Sequence, residues 1–322
     1  MKRSIILITV AALALVGCTK VQDVYIGAPE SHEIAFQAVS TPTTRAAVDG
    51  TAFPADVTMQ VAAWDVTNNR DFFTATAFTK DATTWKGGKY WPLSAAYINF
   101  LAYANLTSGS ATWNLVGENK AASGVTLVMA DNSSTQNDLM YACGHGEVTF
   151  ESNTLSFPAN VPMQFKHAQA WVKFTVKAGD AASASAITVN KITLNSVSCQ
   201  GTYTVTHTNW NSTSANTVAG VWSAYDTYAG NVDAVAAAGY SALSISVQDF
   251  ASLMVVPNQG IASFTINYTL DGKTYNYTYT PASTALTQAY KYTYNITLTV
   301  HEIEIAPEVV DWTEGGPTAV SI

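Results

Sequence analysis

Charge is scarce in this 322-residue chain: 12% of its residues are Asp, Glu, Lys or Arg, against about 25% in ordinary soluble domains. The 15 basic residues are outnumbered by 23 acidic ones, for a net charge of −8. No Lys/Arg cluster offers to neutralise phosphates, so nucleic acid is excluded as a partner. Cysteine is almost absent, with three residues, which excludes a disulfide framework. Long apolar runs are missing as well. The longest lies at residues 5–17 and contains Thr9, short of the roughly 20 residues a bilayer-spanning helix needs.

What the chain does contain is 48% hydrophobic residues and 16 tyrosines, too much apolar material for a disordered chain. Its polarity comes from Thr, Ser and Asn. That mixture suits strands with neutral outer faces and disfavours long salt-bridged helices. At roughly 150 residues per domain the length predicts two domains, or one large β domain.

The first residues set the compartment. Lys2 and Arg3 precede the apolar run Ile5–Val16, the pattern of a signal peptide. Leu15-Val16-Gly17-Cys18 follows at once and resembles a bacterial lipobox, in which Cys18 is acylated and residues 1–17 are removed. Acyl chains anchor by burying methylenes, without a spanning helix. Thr19 rather than Asp follows the cysteine, so the predicted destination is the cell outer membrane. Removal of the leader leaves 13 basic and 23 acidic residues. Cys143 and Cys199 could pair in an oxidising compartment, or stand as two small buried hydrophobes.

Period-two alternation recurs along the body of the chain. His32–Ser40 places Ile34, Phe36 and Ala38 on one face, and Val57–Ala63 does so with Val57, Met59, Val61 and Ala63. Ala168–Val176 alternates in the same way. Further strands are predicted at 187–196, 201–207, 243–249, 262–270, 273–280 and 290–305, with a hairpin turn at Asp271-Gly272. Ala234–Ala238 is a short helix or a loop. The fold class is all-β, built of sandwiches. Pro158 and Pro162 mark a boundary, giving domains 46–160 and 161–322 of ordinary size.

Catalytic patterns do not emerge. Neither G-x-S-x-G nor G-x-G-x-x-G occurs. His32-Glu33 and His301-Glu302 begin like a zinc motif, but Phe36 and Ile305 stand where its second histidine belongs. On strands those positions are also about 13 Å apart. Cys143-Gly144-His145 lacks a partner pair. Glu302 and Glu304 suggest paired carboxylates, and equally the charged edge of a terminal strand. Trp85, Tyr90 and Trp91, with Lys86 and Lys89, form a candidate aromatic platform for glycans, to be weighed against a core or hairpin cluster. The prediction is a non-enzyme with no metal and no cofactor. A surface lipoprotein that binds glycans is its alternative function.

Thr41-Pro42-Thr43-Thr44-Arg45-Ala46-Ala47 joins the 32–40 strand to the body. It is small, polar and proline-containing, the composition of an exposed and cleavable linker. Arg45 is the only basic residue between Lys20 and Arg70. A cut between Arg45 and Ala46 would free the segment 18–45, lipid anchor and strand together, from the rest.

These features together resemble the fimbrillin-type pilins of Bacteroidetes, subunits of protease-assembled surface fimbriae. The resemblance rests on the lipobox at Cys18, the strand ending in Thr43-Thr44-Arg45-Ala46, and Tyr90-Trp91-Pro92 before Tyr97–Tyr103. Asp138-Leu139-Met140-Tyr141-Ala142, Phe165-Lys166-His167-Ala168 and a terminus containing Trp312 follow in order. It implies two transthyretin-like β-sandwich domains in series, with His167 structural and on the first strand of the second. It further implies a fimbrial subunit supporting adhesion, cut by an Arg-specific protease and assembled with copies of itself or related fimbrillins. Ile34, Phe36 and Ala38 would belong to the removable strand. A donor strand would come from Tyr292–Ile305, with Tyr292, Tyr294, Ile296, Leu298 and Val300 on one face, or from the terminal Val309–Ile322.

Overall fold

Alternating hydrophobicity becomes strand over nearly all of the computed structural model, which describes residues 32–39, 53, 55–106, 108–115, 123–214, 217–282 and 285–311. The first strands are β1 (Glu33–Val39), β2 (Met59–Asp65), β3 (Arg70–Asp81), β4 (Thr84–Tyr90), β5 (Ala96–Ala104) and β6 (Gly109–Asn114). Next come β7 (Gly124–Met129), β8 (Met140–Glu151), β9 (Thr154–Ser156), β10 (Val161–Gln164) and β11 (Lys166–His167). After β12 (Ala170–Ala178) lie the helix α1 (Ala181–Ala186), β13 (Ile187–Val197), β14 (Gly201–Thr208), β15 (Thr217–Ser223), β16 (Gly230–Asp233) and β17 (Val235–Ala236). The last are β18 (Gln248–Val255), β19 (Ser263–Leu270), β20 (Lys273–Tyr279), β21 (Tyr290–Leu298) and β22 (Ile303–Asp311).

Most predicted strands are present within a residue or two, and three regions differ. Ala234–Ala238 yields the short strand β17. The strand expected at 243–249 begins later, as β18 at Gln248. The single run expected at 290–305 is a hairpin. Its turn is closed by side-chain chemistry instead of Gly or Pro: Thr299 Oγ1 accepts from the amides of His301 (3.2 Å) and Glu302 (2.9 Å). At Asp271-Gly272 the expected two-residue turn forms, with φ of 48° and 76°, both positive as a type I′ turn requires.

The first sheet runs β10-β1-β4-β3-β2-β5-β8-β11, with β9 on β8. β3 pairs with β2 along Arg70–Phe78 and with β4 along Thr79–Asp81, so two layers share one strand. Ile34, Phe36, Met59, Phe78, Ile98, Phe100, Met140 and Met163 fill the space between them. A second sheet, β15-β14-β7-β6, covers the outer face of β2, β5 and β8. There Trp64, Leu101 and Tyr141 meet Leu127, Tyr203, Val205 and Trp222. Apolar cover on both faces explains why β5 is buried at almost every position. The buried Asn99 on it is satisfied by the carbonyls of Trp210 (2.8 Å) and Ser212 (3.0 Å). A separate sandwich follows, β17-β18-β12-β21-β22 against β16-β13-β19-β20, around Val172, Phe174, Ile192, Phe264 and Ile296.

The predicted division at 160/161 does not follow the sheets. β10 and β11 lie beyond it yet pair with β1 and β8, and β14 pairs with β7 across it. The C-terminal sandwich begins at β12. His167 therefore sits on the last strand of the first sheet, not on the first strand of a second domain. It is buried there, with Nδ1 2.9 and 3.1 Å from the Asp138 carboxylate.

The absent Cβ of Gly146 would lie 2.3 Å from the Trp91 indole, whereas that of Gly230 would meet nothing within 4 Å. Gly146→Ala should cost about 1–3 kcal/mol of stability, read as a lowered denaturation midpoint, and Gly230→Ala should leave that midpoint nearly unchanged. His207 is fully buried beside Trp210, and burial pushes its pKa down from 6.5 to about 4. The fold thus holds it neutral, while the unfolded chain takes up a proton. Its contribution is complete above pH 6.5 and is lost as pH falls from there towards 4, to a limit of about 3 kcal/mol. His207→Phe should flatten that segment of the stability–pH curve in denaturant titrations.

Candidate functional site

β1 is short, near the start of the described chain, and yet interior to its sheet. On one side it runs antiparallel to β4, with Phe36 opposite Trp85 and Ala35 opposite Lys86. On the other it runs parallel to β10, from Phe36↔Val161 to Val39↔Gln164. Ile34 and Phe36 are 0% exposed and Ala38 is 7% exposed, so the alternation read from the sequence is the face that enters the core. Phe36 sits edge-on to Phe78 (4.8 Å) and Phe100 (5.1 Å), geometry that favours aromatic pairs.

The outward face of β1 is anchored by charge. Glu33 Oε1 accepts from the Gly88 amide at 3.0 Å, and Glu33 Oε2 lies 3.8 Å from Lys86 Nζ. Lys86 also reaches Asp81 at 3.0 Å. Above β1 the Trp91 amide donates to the His32 carbonyl at 3.0 Å. Ala35 also points away from the core, but it is only 7% exposed.

Several proposed site residues lie elsewhere. Cys18, Arg45 and Ala46 fall outside the described residues. Trp85 and Trp91 are 2% and 1% exposed. The Trp85 indole N–H donates to the Val57 carbonyl (3.1 Å), and Trp91 packs edge-on against Phe100. With Tyr90 half-buried, these three residues are core and hairpin, and the aromatic glycan platform is not formed. Cys143 and Cys199 are free, the first half-buried and the second buried. Burial raises the pKa of both, that of Cys199 to about 12, which disfavours their thiolate forms. Among the described residues no three of His, Cys, Asp and Glu converge to hold a metal.

The candidate donor face is placed differently from the sequence reading. Tyr292, Tyr294, Ile296 and Leu298 point into the C-terminal core from β21. β21 is paired along its length with β12 on one side and β22 on the other. Val300 lies past the strand, in the turn, and is 38% exposed. An interior strand cannot leave its sheet without opening two ladders, whereas β22 lies at the sheet edge. Sequence reasoning missed β10, with Val161 and Met163 on its buried face. The alternation Val-Pro-Met-Gln was its signal, obscured by reading the flanking prolines as a boundary.

A family model for fimbrillin-like proteins matches residues 44–312. The chain belongs to the fimbrillin-like family. Fimbrillin-like proteins are structural, not enzymatic. No curated protein matches the sequence. Two crystal structures share the fold. One is of a proposed cell adhesion protein from Bacteroides uniformis ATCC 8492, 16% identical, with a TM-score of 0.53, covering 89% of this chain and 100% of that one. The other is of a proposed cell adhesion protein from Bacteroides ovatus ATCC 8483, 13% identical, with a TM-score of 0.51 and the same coverage.

If β1 closes this fimbrillin-like core, Phe36→Ala should cost about 3–5 kcal/mol, read as a lowered denaturation midpoint of the lipid-free protein. Trp85→Ala and Trp91→Ala should show losses of the same order, with no effect specific to a glycan.

Proposed function

We propose that the protein is a structural subunit of a cell-surface fimbria, exported as an outer-membrane lipoprotein acylated at Cys18, cut between Arg45 and Ala46, and joined to the next subunit by strand addition. The observation that carries this reading is β1: a terminal strand seated between two others, with Ile34, Phe36 and Ala38 in the core. The chain leads from it into the segment that holds Arg45. Once that bond is cut, nothing covalent ties β1 to the sheet it completes.

Departure of β1 bares Phe78, Phe100 and Met163, together with the facing edges of β4 and β10. Buried backbone donors and acceptors must be paired, and an exposed strand edge recruits another strand. A strand from a neighbouring copy or a related fimbrillin meets both demands, with main-chain bonds for affinity and alternate side chains for specificity. Donor and acceptor surfaces differ, so the contact is heterologous and propagates a filament. The lipid holds the precursor at the membrane, and an Arg-specific protease releases the subunit into a fimbria that supports adhesion.

Arg70, the next arginine, lies in β3 with Nε 3.3 Å from the buried Asp65 carboxylate, a poor substrate in the folded state. Treating the lipid-free precursor with an Arg-specific protease should therefore yield one product, beginning at Ala46, that polymerises. Arg45→Ala should remain monomeric and intact. A folded precursor that resists the cut, or a cut product that stays monomeric in light scattering, would overturn the reading. N-terminal sequencing of sheared surface material supplies the cellular check: Ala46 indicates maturation, and an acylated Cys18 indicates a stationary lipoprotein.

A further inference from the structure

We propose that the end of the first body where β1 begins is a membrane-contact surface, with Leu93 and Phe150 dipping into the lipid headgroup layer in the tethered precursor. This rests on the lipoprotein reading above and gives the precursor an orientation. Leu93 is 66% exposed and Phe150 is 56% exposed. The Trp91 amide donates to the His32 carbonyl and Tyr90 pairs with Glu33, so the loop bearing Leu93 lies at the start of β1. Ala96 pairs with Val148 and Phe150 with Leu155, which brings the β8–β9 hairpin to the same end. The half-buried Phe157, its ring 4.1 Å from that of His32, continues the apolar surface there. Ser94, Ala95, Ser152 and Asn153, adjacent in sequence, are exposed and uncharged. Single exposed apolar side chains are ordinary. What sets these two apart is that the chain from Cys18 arrives beside them.

His32 stands 14 residues after Cys18, a tether of at most about 50 Å. A short tether holds a surface patch at an effective concentration in roughly the millimolar range. Two side chains that bind lipid weakly on their own then suffice, buried at headgroup depth as in other interfacial contacts. The tether ends at this patch, which favours lipid over a second copy as its occupant. Docked this way, β1 rises away from the membrane by about 20 Å over its seven residues. At its far end Val39 pairs with Gln164, and the chain returns beside it at Phe53, whose ring is 4.3 Å from that of Phe165. Both flanks of the segment that holds Arg45 therefore lie at the end turned from the lipid. The patch orients the precursor so that the scissile bond faces a soluble protease while the anchor stays below.

The test holds the lipid-free precursor on phosphatidylcholine vesicles through a nickel-chelating lipid and an N-terminal hexahistidine tag in place of residues 1–18. With Cys143→Ala and Cys199→Ala as background, Leu93→Cys or Val221→Cys carries an environment-sensitive fluorophore. Val221, 65% exposed on the back sheet, is the control. The expected result is a blue shift at position 93 on docking, absent at position 221 and persistent in high salt, because the contact is apolar. Phe150→Glu should leave the melting temperature unchanged and weaken the docked state by roughly ten-fold or more. No shift at position 93, or equal shifts at both positions, would overturn the proposal. So would a shift at position 93 that needs no vesicles and grows with protein concentration, which would assign the patch to a second copy. The tag supplies the tether whatever happens at Cys18, so these outcomes are independent of the lipoprotein reading. Mass spectrometry showing no acyl chain on Cys18 in cells would overturn that reading, and this one with it.

Discussion

The pairing of β1 with β4 and β10 is the constraint on which the rest of the first body depends. The two layers around the first core share β3 at one margin, and β1 joins β4 to β10 at the other. Its inward side chains touch Phe78 and Phe100, which face them from the shared strand and from the opposite layer. A strand in that position is held by two ladders and by apolar burial at every second residue. These forces are large in total and involve no chemistry specific to this chain. They come from main-chain pairing and apolar burial alone.

How much of this fold is legible in the sequence depends on the range of the interaction involved. The inward face of β1 and the Asp271-Gly272 hairpin were readable because alternation and turn chemistry act within a few residues. β10 was obscured because Pro162 reads as a breaker, although a proline can sit at a position that needs no ladder donor. The break between β21 and β22 was invisible because Thr299 closes the turn with its hydroxyl, without Gly or Pro. Trp85 and Trp91 could not be assigned from sequence at all, since burial depends on which strands lie opposite. The misplaced boundary has the same origin: nothing local in 109–129 announces that its partner strands begin at Gly201.

Low charge also has a clearer meaning in the folded molecule. The outer face of β13, β19 and β20 is a lattice of amides and hydroxyls, with Asn190 bonded to Asn267 (2.8 Å) and Asn267 to Asn276 (2.7 Å). Such a face is polar with little charge. The few charged pairs are placed where a strand must be held in position, as at Glu33, Lys86 and Asp81.

The sheet shared between residues 109–129 and 201–223 has a consequence in time. Its central pair, β7 with β14, joins segments more than seventy residues apart, and long-range pairings of this kind form late because the intervening loop must first be closed. Until β14 arrives, the outer faces of β2, β5 and β8 lie uncovered, with Trp64 and Leu101 on them. A chain emerging from its N-terminus can therefore assemble the β1 seat before it can bury the reverse side of the same sheet. A chain stalled before that back sheet closes would present a wide apolar surface.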